Sequence, residues 1–160
     1  MSFNKIYALA LRHMYLISNS LPRIIDLIYW PTVQIFLWGF ISKFFTLNSE
    51  YYSNTVGIIL TAAILYDFLF RVSISFNMMF LEEIWSRNFT NLFIAPITIS
   101  EMITSLTFTA ILRAMIGMVP AAVLAIPLFG VSVFNLGIPL LFLLLSLYLF
   151  GITLGLLVTS

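Results

Sequence analysis

An all-α membrane protein is the fold class this chain predicts, and three observations predict it. Of its 160 residues, 62% are hydrophobic and only 8% charged, with mean hydropathy +1.11, outside the soluble range. The apolar residues gather into four stretches, each long enough for the ~20 helical residues that cross a hydrocarbon core. The one long polar interruption, LEEIWSRNFTNLFIAP at residues 81–96, itself keeps helical spacing. The expected architecture is a single transmembrane domain over 1–160, with an interfacial helix at 1–23, four spans, and a short loop helix between spans two and three. Net charge is +1 with no basic cluster, so the run of phosphate contacts that nucleic-acid binding needs is missing. Without cysteine there is no disulfide or thiolate chemistry.

In chain order, Phe3, Ile6, Tyr7, Ala10, Met14 and Ile17 recur at helical spacing, with Asn4, Lys5, Arg12 and His13 off the stripe. Arg12 and His13 also break the apolar run that a signal peptide would need. His13, the sole histidine, reads as a surface residue without chemistry, since a metal site would need companions. Span one occupies residues 24–45. Arg23 and Asp26 are spaced to pair at its entrance, Pro31 should kink it, and Trp30 and Trp38 read as lipid or packing contacts. A mixed-charge loop follows at 43–54, with Tyr51 and Tyr52 where an aromatic belt forms. Span two, residues 55–80, contains Asp67 and Arg71 one helical turn apart.

In the 81–96 stretch, Leu81, Ile84, Trp85, Phe89, Leu92 and Phe93 share one helical face, and Glu82, Glu83, Ser86, Arg87, Thr90 and Asn91 the other. Two readings fit: an amphipathic helix flat at the membrane surface with its polar face free for a partner, or a solvated turn. Pro96 ends this loop, and Thr98 with Glu101 has capping-box spacing. Span three, residues 100–126, contains Arg113, with Pro120 and Pro127 bending or ending its far half. An uncharged turn at 129–137 leads to span four at 138–159, where Gly151 and Gly155 have the GxxxG spacing that permits close helix approach. Span four stops without a charged or aromatic exit anchor, and the native chain is expected to continue.

Charges inside a membrane cost ~2.5–3.5 kcal/mol on insertion scales, so Asp67, Arg71 and Arg113 are expected to face partners or a wet cavity. Depth matching suggests pairing of Asp67 with Arg113, Arg71 or both, as a structural lock or as part of a transport path. Lys5, Arg12 and Arg23 precede span one, against Lys43 alone in the first loop, which places the N-terminus and the 81–97 loop in the cytosol. No phosphate-cradling glycine loop, HExxH, GxSxG or metal-ligand cluster is present in the sequence, so catalysis and energy input are expected elsewhere.

The order of these features resembles the permease subunit of type 2 ATP-binding-cassette exporters, the bacterial drug, lipid and polysaccharide exporter group. The resemblance rests on the interfacial helix, the LPRIIDLIYWPTVQIFLWGF run, the acidic EEIWSR segment and the RNFTNLFIAPITISE run, and it covers essentially all 160 residues. That family has six spans, and this chain supplies four. The resemblance implies a non-enzymatic, multi-pass inner-membrane subunit that is homodimeric or paired with a second permease. It also implies a separate cytosolic ATPase holding ATP and Mg, and a coupling loop formed by Glu82, Glu83, Trp85, Arg87, Pro96 and Glu101. Two other classes remain: a small four-span ion- or proton-coupled transporter using Asp67, and a non-transporting membrane anchor. Against the former, a carboxylate flanked by two cations is held charged, whereas a proton carrier must cycle.

Overall fold

The computed structural model describes residues 2–48, 55–87 and 94–159, and these are helical apart from short connections. α1 spans Phe3–Ser18, α2 Leu21–Asn48, α3 Thr55–Trp85, α4 Ile99–Phe129 and α5 Ile138–Thr159, with a 3-10 turn at Val133–Leu136 before α5. No strand occurs among the described residues. α2 to α5 are each long and apolar enough to cross a membrane, which makes this a multi-pass membrane protein.

α1 is amphipathic and buries Leu9, Ala10, His13 and Ile17. It ends at Asn19, and Ser20 restarts the chain by accepting the amide protons of Arg23 and Ile24 through its carbonyl. Pro22 is tolerated because it falls in the first turn of α2, where helix amides have no partner. Pro31 lies inside α2 and contributes no N–H, so the Leu27 carbonyl four residues earlier loses its helical donor.

α3 is the central element, packed against α2, α4 and α5. The core layer runs through Ile35 of α2, Leu60, Ile64, Phe68 and Val72 of α3, and Ala114, Met118, Ala121 and Ala125 of α4, closed by Val133 and Leu140. Small residues on the buried face of α4 let the α3 side chains approach, which is how helices associate where the solvent is itself apolar. Gly151 and Gly155 serve the same purpose on α5. A Cβ at Gly151 would lie 3.0 Å from Val72 Cγ1, and one at Gly155 would lie 3.2 Å from Phe76 Cβ. The GxxxG face is thus used inside the chain, against α3, and is not left open for other copies.

Several helix boundaries differ from expectation; α2 begins three residues before and ends three residues after the expected 24–45 span, so residues 43–48 are helical rather than loop. α3 does not stop near Phe80 but continues to Trp85, because Leu81, Ile84 and Trp85 extend its apolar period without a break. The helix ends where Arg87 adopts a left-handed backbone, φ 51°. Residues 81–85 are therefore the last turns of span two, not the start of a separate surface helix; residues 88–93 lie outside the described residues, as do Tyr51 and Tyr52. α4 passes through Pro120 and Pro127 and ends at Gly130, whose left-handed φ of 68° lets its N–H reach the Ile126 carbonyl.

Candidate functional site

At the loop end of the bundle, three ionic contacts strap α1 and the start of α2 to the helices on either side of the loop. Glu83, 2% exposed, accepts from Arg12 Nη2 at 2.8 and 3.1 Å and lies 3.3 Å from His13 Nε2. Arg23 Nη2 of α2 pairs with Glu82 of α3 at 3.2 Å. At the start of α4 the expected capping box forms. Thr98 Oγ1 accepts from the Glu101 amide at 3.3 Å, and Glu101 Oε2 accepts from the Thr98 amide at 3.0 Å. The other oxygen of Glu101, Oε1, accepts the Ser2 amide at 2.7 Å, Lys5 Nζ lies 3.9 Å from Oε2, and Lys5 Nζ also donates to the Pro96 carbonyl. Both ends of the loop are thus tied to one amphipathic helix.

The imidazole of His13 is buried, with Nε2 facing Glu83 and Nδ1 without a partner. A neutral ring with its proton on Nε2 satisfies this arrangement, whereas a charged ring would leave a buried N–H unpaired. Burial accordingly lowers its pKa from 6.5 to about 4, outweighing the opposing pull of Glu83, with Arg12 and Arg113 adding to the decrease. His13 is therefore a buried contact, not the surface residue its isolation in the sequence suggested.

The structure redistributes the loop residues expected to face a partner. Glu83 faces inward and Glu82 is half-buried against Arg23. The reason is that the helical face holding them meets α1 and α2 rather than solvent. Trp85 is 69% exposed, and Ile84, Arg87, Ile94 and Pro96 are exposed as well. Glu101 is buried under its own cap.

Deeper in the bundle, Asp67 and Arg71 form a buried ion pair at 2.8 Å. Arg113 does not join it; among the described residues no carboxylate is within ion-pair distance of Arg113, and its Nε is buried without a hydrogen-bond partner. Depth explains the outcome. At 1.5 Å per residue, Arg71 and Arg113 each lie about 21 Å from the loop ends of α3 and α4, whereas Asp67 lies about 27 Å in. The i,i+4 partner on the same helix therefore wins. Arg23 likewise turns to Glu82, leaving Asp26 exposed.

These charges line a cleft of about 460 Å³ between α2, α3 and α4. Its floor is Asp67, Arg71, Ser75 and Arg113, and its outer edge includes Asp26, Trp30, Phe70, Ile74 and Met78. Asp26, Trp30 and Gln34 recur every four residues on α2, and Asp67, Arg71, Ser75 and Met78 do nearly so on α3, a pattern visible in the sequence. What the sequence did not signal is Gly117. A Cβ there would lie 2.9 Å from the Leu27 carbonyl and 3.0 Å from Arg71 Nε. The carbonyl freed by Pro31 and the Arg71 side chain both converge on this one glycine. Among the described residues no three His, Asp or Glu side chains group as metal ligands would.

Comparison of the chain with protein-family models, with curated proteins and with solved structures gives no match. Over the described residues, fold and site define a helical membrane protein with four helices long enough to span a bilayer, ionic straps on both flanks of the 81–97 loop, and a charged cleft within the bundle.

Proposed function

We propose that the chain is the membrane-spanning permease subunit of an ATP-driven exporter of the drug, lipid or polysaccharide class, coupled through the 81–97 loop to a separate ATPase. The observation that carries this reading is the strapping of that loop. A force on it reaches α3 through Trp85, α1 through Glu83 and Glu101, and α2 through Glu82, so a partner docked there could tilt three helices together. Trp85 and Arg87, with Ile84 and Ile94, supply an exposed apolar and cationic contact, and buried aromatic and arginine anchors dominate the energetics of such interfaces. The sequence itself contains no nucleotide-binding motif, which is why ATP and Mg are assigned to the partner.

In this reading Lys5, Arg12, Arg23 and Arg87 share the loop end and face the cytosol of a bacterial inner membrane, with Lys43 at the opposite end. Two permease chains would pair with two ATPase subunits. The test is co-purification with an ATPase encoded beside the gene. Replacing Trp85 with alanine together with Arg87→Glu should abolish ATPase capture while leaving membrane insertion intact. Undiminished capture and stimulation in that variant would defeat the proposal.

A further inference from the structure

We propose that the cleft between α2, α3 and α4 receives the headgroup of an amine-bearing phospholipid from the surrounding bilayer, its phosphate on Arg113 and its ammonium on Asp26. This inference stands apart from coupling to an ATPase. Arg113 is 8% exposed and lines the cleft, yet its guanidinium has no carboxylate within ion-pair distance and its Nε no acceptor among the described residues. A buried cation without an ion-pair partner is costly, and two of the surrounding carboxylates are already engaged, Glu82 by Arg23 at 3.2 Å and Asp67 by Arg71 at 2.8 Å, while Asp26 acts on Arg113 only from beyond ion-pair distance. The floor therefore offers one unmatched cation. Asp26 stands exposed at the edge, also without an ion pair among the described residues.

A simple anion would satisfy Arg113 but meet Asp26 with like charge; a zwitterion with phosphate and ammonium satisfies both. The outer edge suits a lipid. Trp30, Phe70, Ile74 and Met78 are exposed apolar side chains on α2 and α3, where acyl chains can lie while the headgroup enters between them. About 460 Å³ falls within the range of ligand cavities.

The test uses the full chain purified in mild detergent, with bound lipid counted by native mass spectrometry after addition of phosphatidylethanolamine, phosphatidylcholine or phosphatidylglycerol. Phosphatidylethanolamine should be retained best, since choline offers Asp26 no N–H and glycerol no cation. Arg113→Gln should weaken retention roughly tenfold, the loss expected for a charge-assisted hydrogen bond, while Arg113→Lys keeps most of it. Asp26→Asn, at an exposed position where folding is not at stake, should erase the preference for phosphatidylethanolamine over phosphatidylglycerol while phospholipid is still retained. Equal retention of the three lipids by the native chain, an unchanged preference in Asp26→Asn, or unchanged retention in Arg113→Gln would overturn the assignment. So would displacement of the lipid by soluble phosphoethanolamine, which would make a free phosphate ester the ligand.

Discussion

Replacing Asp67 with asparagine removes a charge while keeping the side chain's shape, and so isolates what the ion pair with Arg71 contributes. At 2.8 Å and an effective dielectric constant of ~20 the gross attraction is about 6 kcal/mol, most of it offset by taking both groups out of water. Removing one partner is a different matter. Arg71 is then left buried and uncompensated beside Arg113, a loss expected to cost about 3 kcal/mol. Adding Arg71→Gln should restore part of that. A double-mutant cycle on unfolding free energy in mixed detergent micelles should therefore give a coupling of about 2 kcal/mol. That exceeds the ~0.6 kcal/mol average for polar contacts between membrane helices, because both partners here are charged. The same cycle between Asp67 and Arg113 should give a clearly smaller value, since no ion pair joins them. Additive effects at Asp67 and Arg71, or a stronger coupling to Arg113, would refute the assignment.

Two further perturbations test the packing around the site. His13 is held neutral with its pKa lowered from 6.5 to about 4, so its contribution to stability is complete above pH 6.5 and declines as pH falls towards 4, by at most about 3 kcal/mol. Melting temperatures between pH 7 and 4.5 should fall more steeply for the native chain than for His13→Gln, and parallel slopes would exclude this role. Gly117→Ala forces a Cβ against the Leu27 carbonyl, which cannot rotate away, and should destabilise by about 1–3 kcal/mol. Gly57→Ala, where nothing lies within 4 Å, should be neutral or stabilising by up to ~1 kcal/mol, and equal melting temperatures for the two variants would count against the close approach.

The sequence by itself determined the class and the four spans seen among the described residues, because backbone in lipid is satisfied only in helices or closed barrels, and continuous apolar stretches of this length suit helices rather than short alternating strands. It also determined the Thr98–Glu101 cap and the Asp67–Arg71 spacing, both local relations within a single helix. Tertiary structure decided the rest. Glu83 has the same polar character in the sequence as Arg87, yet one is sealed under Arg12 and His13 and the other is exposed, because helical periodicity says that a face is polar but not what is packed on it. Which of two arginines takes Asp67, which acid takes Arg23, and why Gly117 must be small are likewise distances between helices far apart in the chain. Those distances are set when α1 to α5 pack, a step that depends on every side chain at the interfaces and leaves no periodic mark in any one of them.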